Sequence, residues 1–157
     1  VMAARNGLEL STELVSDSAC VLPLVRALLD AVPSTRTLRD PTRGGLATAL
    51  CEIAASAAVG LRIDEGAVPV RREVRAACEL LGFDPLYVAC EGRFLAIVPP
   101  TEWETALSAI HALPAGAGAC RIGEVVEGPA GRVLLRTEIG SHRRLERLSG
   151  EQLPRIC

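Results

Sequence analysis

The strongest constraint on the fold is a change of hydrophobic period between residues 46 and 64. Leu46 to Ala58 is a run of helix formers that Gly60 stops. Leu61-Arg62-Ile63-Asp64 then alternates apolar and polar, the period of a half-buried strand. A helix followed at once by a strand fits neither a helical bundle nor a sandwich. It fits a sheet with helices packed on it. The rest of the chain repeats the theme. A helix is expected from about Ser18 to Val32, capped by Ser16 or Asp17, and Pro33-Ser34 breaks it. Thr37-Leu38-Arg39 is a short strand candidate. Val70 to Leu81 is a further helix that Gly82 ends. Tyr87 to Cys90 and Arg93 to Val98 read as extended pieces around a turn at Glu91-Gly92. Pro99-Pro100-Thr101 opens a helix to about Leu113, with Thr101 as its cap. Arg121–Glu127 and Arg132–Thr137 read as a hairpin around Gly128-Pro129-Ala130-Gly131. After Thr137 the periodicity fades into an arginine-rich stretch. The expected fold class is α+β, a mixed β-sheet with packed helices over residues 1–137, and a flexible C-terminal tail over 138–157.

Composition narrows the function classes. With 49% hydrophobic residues but only 3% aromatic, the core must be aliphatic, and 157 residues make one domain. A net charge of −2 gives no basic footprint for nucleic acid or for a membrane surface. No apolar run reaches the roughly 18 residues that a spanning helix needs. The N-terminus lacks a signal-peptide layout, so the reducing cytoplasm is the expected compartment. The cysteines at 20, 51, 78, 90, 120 and 157 show no metal-binding spacing and default to small buried apolar side chains, Cys157 excepted. Val1 to Arg5 followed by Asn6-Gly7 reads as the last turn of a helix, so the chain is expected to be cut from a longer one.

Three places carry chemistry. Asp40-Pro41-Thr42-Arg43-Gly44-Gly45 joins a strand to a helix. Glycines there let the backbone approach an anion, with Arg43 and Thr42 adding a charge and a hydroxyl. No Lys-Ser/Thr follows, so it is not a P-loop. The plain alternative is an Asp or Thr cap on a tight turn. Glu91 lies among apolar neighbours in sequence. Held there, a carboxylate becomes a better base near neutral pH; the alternative is a solvated glutamate at a turn. Cys157 is a thiol at the end of the tail, which can extend up to ~50 Å from Ser141. It is either a carrier that visits more than one site or an incidental last residue. His111 suits the end of its helix, and His142 and the arginines of the tail have no catalytic partners.

Taken together, these pieces resemble a known family. Gly150-Glu151-Gln152-Leu153-Pro154-Arg155-Ile156-Cys157 resembles the C-terminus of the HypE family of hydrogenase-maturation carbamoyl dehydratases. Asp40 to Leu46 matches its Asp-x-Thr-Arg-Gly-Gly-Leu loop, and Glu91-Gly92 its Glu-Gly step before an apolar strand. Arg5 to Leu8 and Ser16-Asp17 match further motifs. The glycine loop is shared with the wider aminoimidazole-ribonucleotide-synthetase-like superfamily. The resemblance implies a C-terminal domain whose N-terminal companion binds ATP with Mg²⁺, no cofactor being expected on this fragment alone. It implies that the carbamoyltransferase HypF loads a carboxamide on Cys157, that ATP-dependent dehydration makes an S-cyanide, and that the HypC–HypD complex receives it for the iron of a [NiFe]-hydrogenase. It implies Cys157 as carrier nucleophile and Glu91 as base. Asp40, Thr42, Arg43, Gly44 and Gly45 would lie on the phosphate side, with Pro154, Arg155 and Ile156 as the tail motif. The full-length protein would be a homodimer. Two alternatives stand beside it: a docking module without catalysis, or another superfamily member.

Overall fold

The computed structural model describes residues 15–148. Its elements run α1 (Leu22–Ala31), β1 (Thr37–Arg39), α2 (Gly45–Ala57), β2 (Gly60–Asp64), α3 (Arg72–Leu81), β3 (Leu95–Ile97), α4 (Trp103–His111), β4 (Gly123–Val126), β5 (Val133–Arg136) and β6 (His142–Leu145). Single 3₁₀ turns lie at Glu65–Ala67, Pro85–Tyr87 and Pro114–Gly116. The α+β reading holds. Among the described residues, no helix is long and apolar enough to cross a membrane.

The main core lies between α2 and a four-stranded sheet of order β4-β2-β5-β6. Leu50, Ile53 and Ala54 of α2 meet Leu61 and Ile63 of β2, Val133 and Leu135 of β5, and Leu145 of β6. The alternation read at 61–64 is the cause: Leu61 and Ile63 turn inward while Arg62 stays exposed. Leu135 is fully buried in this layer. Leu135→Ala is expected to lower unfolding stability by about 2–5 kcal/mol, read from a denaturant midpoint. A second core joins α1 to α4, where Leu24, Leu28 and Val32 pack on Ala106 and Ile110.

Several sequence expectations give way. β4 and β5 do not form a hairpin. β2 lies between them, antiparallel to β4 and parallel to β5. β2 is hydrogen-bonded along both edges, and in the 127–132 connection the Gly131 N–H donates to the Val59 carbonyl at 2.9 Å. The sheet also continues past Thr137. β6 pairs with β5 from Arg136↔His142 to Val133↔Leu145. Residues 138–148 therefore do not start the expected tail; Leu145 alone supplies the buried apolar contact of that strand, at 2% exposure. α1 starts at Leu22 with Pro23 in its first turn and without a side-chain cap. α4 starts at Trp103 and uses no Thr101 cap. Tyr87 to Cys90 is not extended but follows the 3₁₀ turn at Pro85–Tyr87. Of the cysteines, Cys51 and Cys78 are buried, Cys90 is half-buried, and Cys20 and Cys120 are exposed.

The pair that positions the candidate site is small. β1 and β3 run antiparallel, Thr37 opposite Ile97 and Arg39 opposite Leu95. Antiparallel pairing sets whatever follows β1 beside whatever precedes β3. The Asp40–Gly45 loop follows β1, and Glu91-Gly92 precedes β3.

Candidate functional site

Two backbone contacts fix that neighbourhood. The Cys90 N–H donates to the Pro41 carbonyl at 3.0 Å, tying the Glu91 turn to the glycine loop. Gly45, in the left-handed region with φ +61, faces the backbone of Leu86 to Val88 so closely that an added Cβ would lie 2.6 Å from the Val88 carbonyl oxygen. Gly45 is thus a packing glycine as well as the first residue of α2. Gly44, with φ 70, precedes it as the N-cap of α2, and no side chain caps this end among the described residues. The cap expected from Asp40 or Thr42 is therefore not made. Asp40 lies 3.6 Å from the Arg39 guanidinium. Thr42 accepts from the Gly45 N–H through its carbonyl, at 3.1 Å. Arg43 is exposed.

Glu91 has a partner that local sequence reasoning assigned elsewhere. Its N–H donates to Asp17 Oδ2 at 3.0 Å. Asp17 is thus drawn 74 residues away in sequence rather than capping α1. Gly92 permits the approach, since an added Cβ there would stand 1.8 Å from the Asp17 carbonyl oxygen. The Glu91 side chain is exposed. The apolar enclosure expected around it does not form among the described residues, so its reactivity cannot come from burial there. Next to it, burial pushes the Cys90 thiol up, with Asp17 adding to the effect and Arg93 opposing it.

A cleft of about 610 Å³ opens beside this turn, lined by Asp17, Pro69, Arg71, Gly92, Arg93 and Gly118 among others. Its far wall is held by His111, whose Nε2 lies 2.8 Å from the Ala119 carbonyl oxygen. Trp103 carries the Arg121 guanidinium over its ring at 5.3 Å. Arg71 and Arg93 drew no functional reading from the sequence, because scattered arginines carry no motif. Asp17 was legible only as a cap.

Cys157, Pro154, Arg155 and Ile156 lie outside the described residues, as does the expected helix end at Val1–Gly7. The approach to the first group is described. The Tyr87 hydroxyl donates to the Glu146 carbonyl at 3.0 Å, and the Leu148 N–H reaches Thr48 Oγ1 at 3.4 Å. Arg147 lies 3.9 Å from Glu52. Thr48 sits one helical turn from Gly44, and its N–H donates to the Gly44 carbonyl at 3.2 Å. The last described residue therefore sits against the first turn of α2. The nine residues from Leu148 to Cys157 extend at most ~30 Å, at the maximal reach per residue.

Known proteins share this fold. The carbamoyl dehydratase HypE of Cupriavidus necator is 51% identical over 157 residues, 100% of this chain and 45% of its own length. A crystal structure of hydrogenase maturation protein HypE in complex with ATP matches at TM-score 0.91 and 44% identity, covering 99% of this chain and 48% of that one. A crystal structure of a HypE–HypF complex matches at TM-score 0.86 and 36% identity, covering 94% of this chain and 48% of that one. The chain spans about half the length of the relatives it matches. The family model described as AIR synthase related protein, C-terminal domain, matches residues 1–136. On that match the chain belongs to the family of AIR synthase related protein C-terminal domains.

Proposed function

We propose that this chain is the tail-bearing half of an ATP-dependent carbamoyl dehydratase that makes the cyanide ligand of [NiFe]-hydrogenase on the thiol of Cys157. One observation carries the reading. The root of the tail at Leu148, the Gly44-Gly45 loop and the Glu91 turn all meet around the start of α2. A group carried on Cys157 can reach that place within the ~30 Å its tether allows.

The chemistry follows from roles. HypF loads a carboxamide onto the sulfur of Cys157, the partner named in the complex of the relative. ATP, bound with Mg²⁺ on the other half, phosphorylates the carboxamide oxygen and makes it a leaving group. Glu91 takes a proton from the nitrogen. One N–H proton goes to solvent as the oxygen is phosphorylated and ADP leaves, giving a C=N–H imidate. When Glu91 takes the second, that N–H electron pair becomes the second C–N π bond, and the C–O bond breaks with its own pair departing on phosphate. A nitrile remains on sulfur. Exposure of Glu91 suits this role, because its substrate arrives on a tether from outside the fold. The loop residues Asp40, Thr42, Arg43, Gly44 and Gly45 sit on the phosphate side. Gly44 and Gly45 leave the α2 terminus free of a capping side chain, which fits a phosphate oxygen there. Pro154, Arg155 and Ile156 guide the tail. The S-cyanide passes to the HypC–HypD complex. The reaction belongs to the cytoplasm, and the full-length protein acts as a homodimer.

The test is mass spectrometry on the intact protein that carries this chain, incubated with HypF, carbamoyl phosphate and ATP. The Cys157 peptide is expected to gain one carboxamide in place of its thiol proton, then to lose one water. Cys157→Ala is expected to abolish both changes. An adduct on another cysteine, or none, would overturn the reading.

A further inference from the structure

The cleft beside Glu91 contains two positive charges that the proposed reaction has not yet used. Arg71 enters it from the segment before α3, and Arg93 from the segment before β3. Among the described residues neither guanidinium makes an ion pair, whereas Arg62, Arg75, Arg136 and Arg143 each engage a carboxylate. Two guanidiniums without a carboxylate partner among the described residues line one cleft, and their like charge favours an anion there.

The walls are built rather than loose. Gly92 forms the floor, pressed on the Asp17 carbonyl. Gly116 lies between the lining residues Ala115 and Gly118 in sequence, and its added Cβ would fall 2.1 Å from the Ile110 carbonyl oxygen, so that loop is packed tightly on α4. Cys120 donates its S–H to the Ala67 carbonyl at 3.3 Å, tying this wall to the one that carries Arg71. The charge of Arg93 lies close enough to the Cys90 thiol to oppose the burial that raises it. One carboxylate faces it, Asp17, and that group is engaged by the Glu91 N–H. Ser16 and Ser18 add hydroxyls at the rim.

Each guanidinium offers a planar fork of donors that matches two oxygens of a phosphoryl group. A cavity of about 610 Å³ holds a phosphate with room for the group it leaves. We propose that Arg71 and Arg93 make this cleft a binding site for a phosphoryl anion. The Asp40–Gly45 loop does not line this cleft, so, resting on the function proposed above, it is a second phosphoryl site, one that receives the phosphate after it has left the carboxamide. Both arginines are exposed and lie beside the Glu91 turn, where a free anion can reach them. Asp17, in the same cleft, accepts from the Glu91 N–H.

The probe is inorganic phosphate, titrated into the 157-residue chain at constant ionic strength and followed by ³¹P line broadening and by thermal shift. Chloride and sulfate serve as comparators. Saturable phosphate binding is expected, weakened about tenfold in Arg93→Ala and in Arg71→Ala. Arg93→Lys should recover part of the loss, as a point charge without the fork. Circular dichroism matched to the parent shows that the variants fold. Absence of saturable binding, or binding that both alanine variants leave unchanged, would overturn the site. This arm uses no ATP, no HypF and no Cys157. If phosphate binds as expected while Cys157 never acquires an adduct, the anion site stands and the dehydratase reading falls. If Cys157 is converted and phosphate does not bind, the site falls alone.

Discussion

Gly92→Ala is expected to cost about 3 kcal/mol of stability and to release the turn that holds Glu91. The added methyl would stand 1.8 Å from the Asp17 carbonyl oxygen and 3.0 Å from the Ala19 nitrogen. Both obstacles are backbone, so neither can rotate away. Either the 17–19 segment or the Glu91 turn must move, and the bond from the Glu91 N–H to Asp17 is lost with it. Gly118→Ala is the control. It lines the same cleft, but an added Cβ there meets nothing within 4 Å. Its effect is expected to stay within about 0.5 kcal/mol. Denaturant midpoints measure both variants, and amide exchange at Glu91 reports the turn. A loss below about 1 kcal/mol for Gly92→Ala, with unchanged exchange at Glu91, would mean that the two segments do not pack as described.

The second large effect is on chemistry. Glu91→Gln keeps size and hydrogen bonding but removes the proton acceptor. In the intact protein, carboxamide is expected to accumulate on Cys157, with conversion to nitrile slowed by roughly 10²–10⁴-fold, the span of a general base. Cys157→Ala differs in kind, because no carboxamide is loaded at all. Mass spectra taken through the time course separate the two. Conversion at the parental rate by Glu91→Gln would move the base elsewhere. Asp17 is the nearby carboxylate in the cleft.

What the sequence made legible was local. The periods of 46–64 and the glycine stop after Leu81 correspond to α2, β2 and α3, because short-range steric preferences decide them. The nearness of the Gly44-Gly45 loop to Glu91 came only from the family resemblance. Its cause is the β1–β3 pairing, which no local pattern shows. Pairing of β4 and β5 failed as an expectation for the same reason. Neighbours in sequence are the cheapest partners, yet both strands pair instead with the edges of β2, which lies between them. β6 was missed because its inward face carries one apolar residue, Leu145, among Arg143, Arg144 and Arg147. Arg143 is held by Asp84 at 2.7 Å, a long-range bond that turns a basic stretch into an edge strand. Asp17 followed the same logic. Capping is a short-range expectation, and a tertiary donor outcompeted it.

The place of β6 in the sheet fixes where the approach to Cys157 begins. Leu148 is held at Thr48, and nine residues of sequence lead from it to Cys157, against the twenty of a tail starting at 138. For a carrier on a flexible tether, as proposed, effective concentration at its own site falls roughly as the −3/2 power of tether length, so the shorter span is expected to raise it about threefold. A longer tether would serve a distant partner better. On the proposed function, strand β6 then sets a compromise between how often a carrier meets its own site and how far it travels to hand over its load.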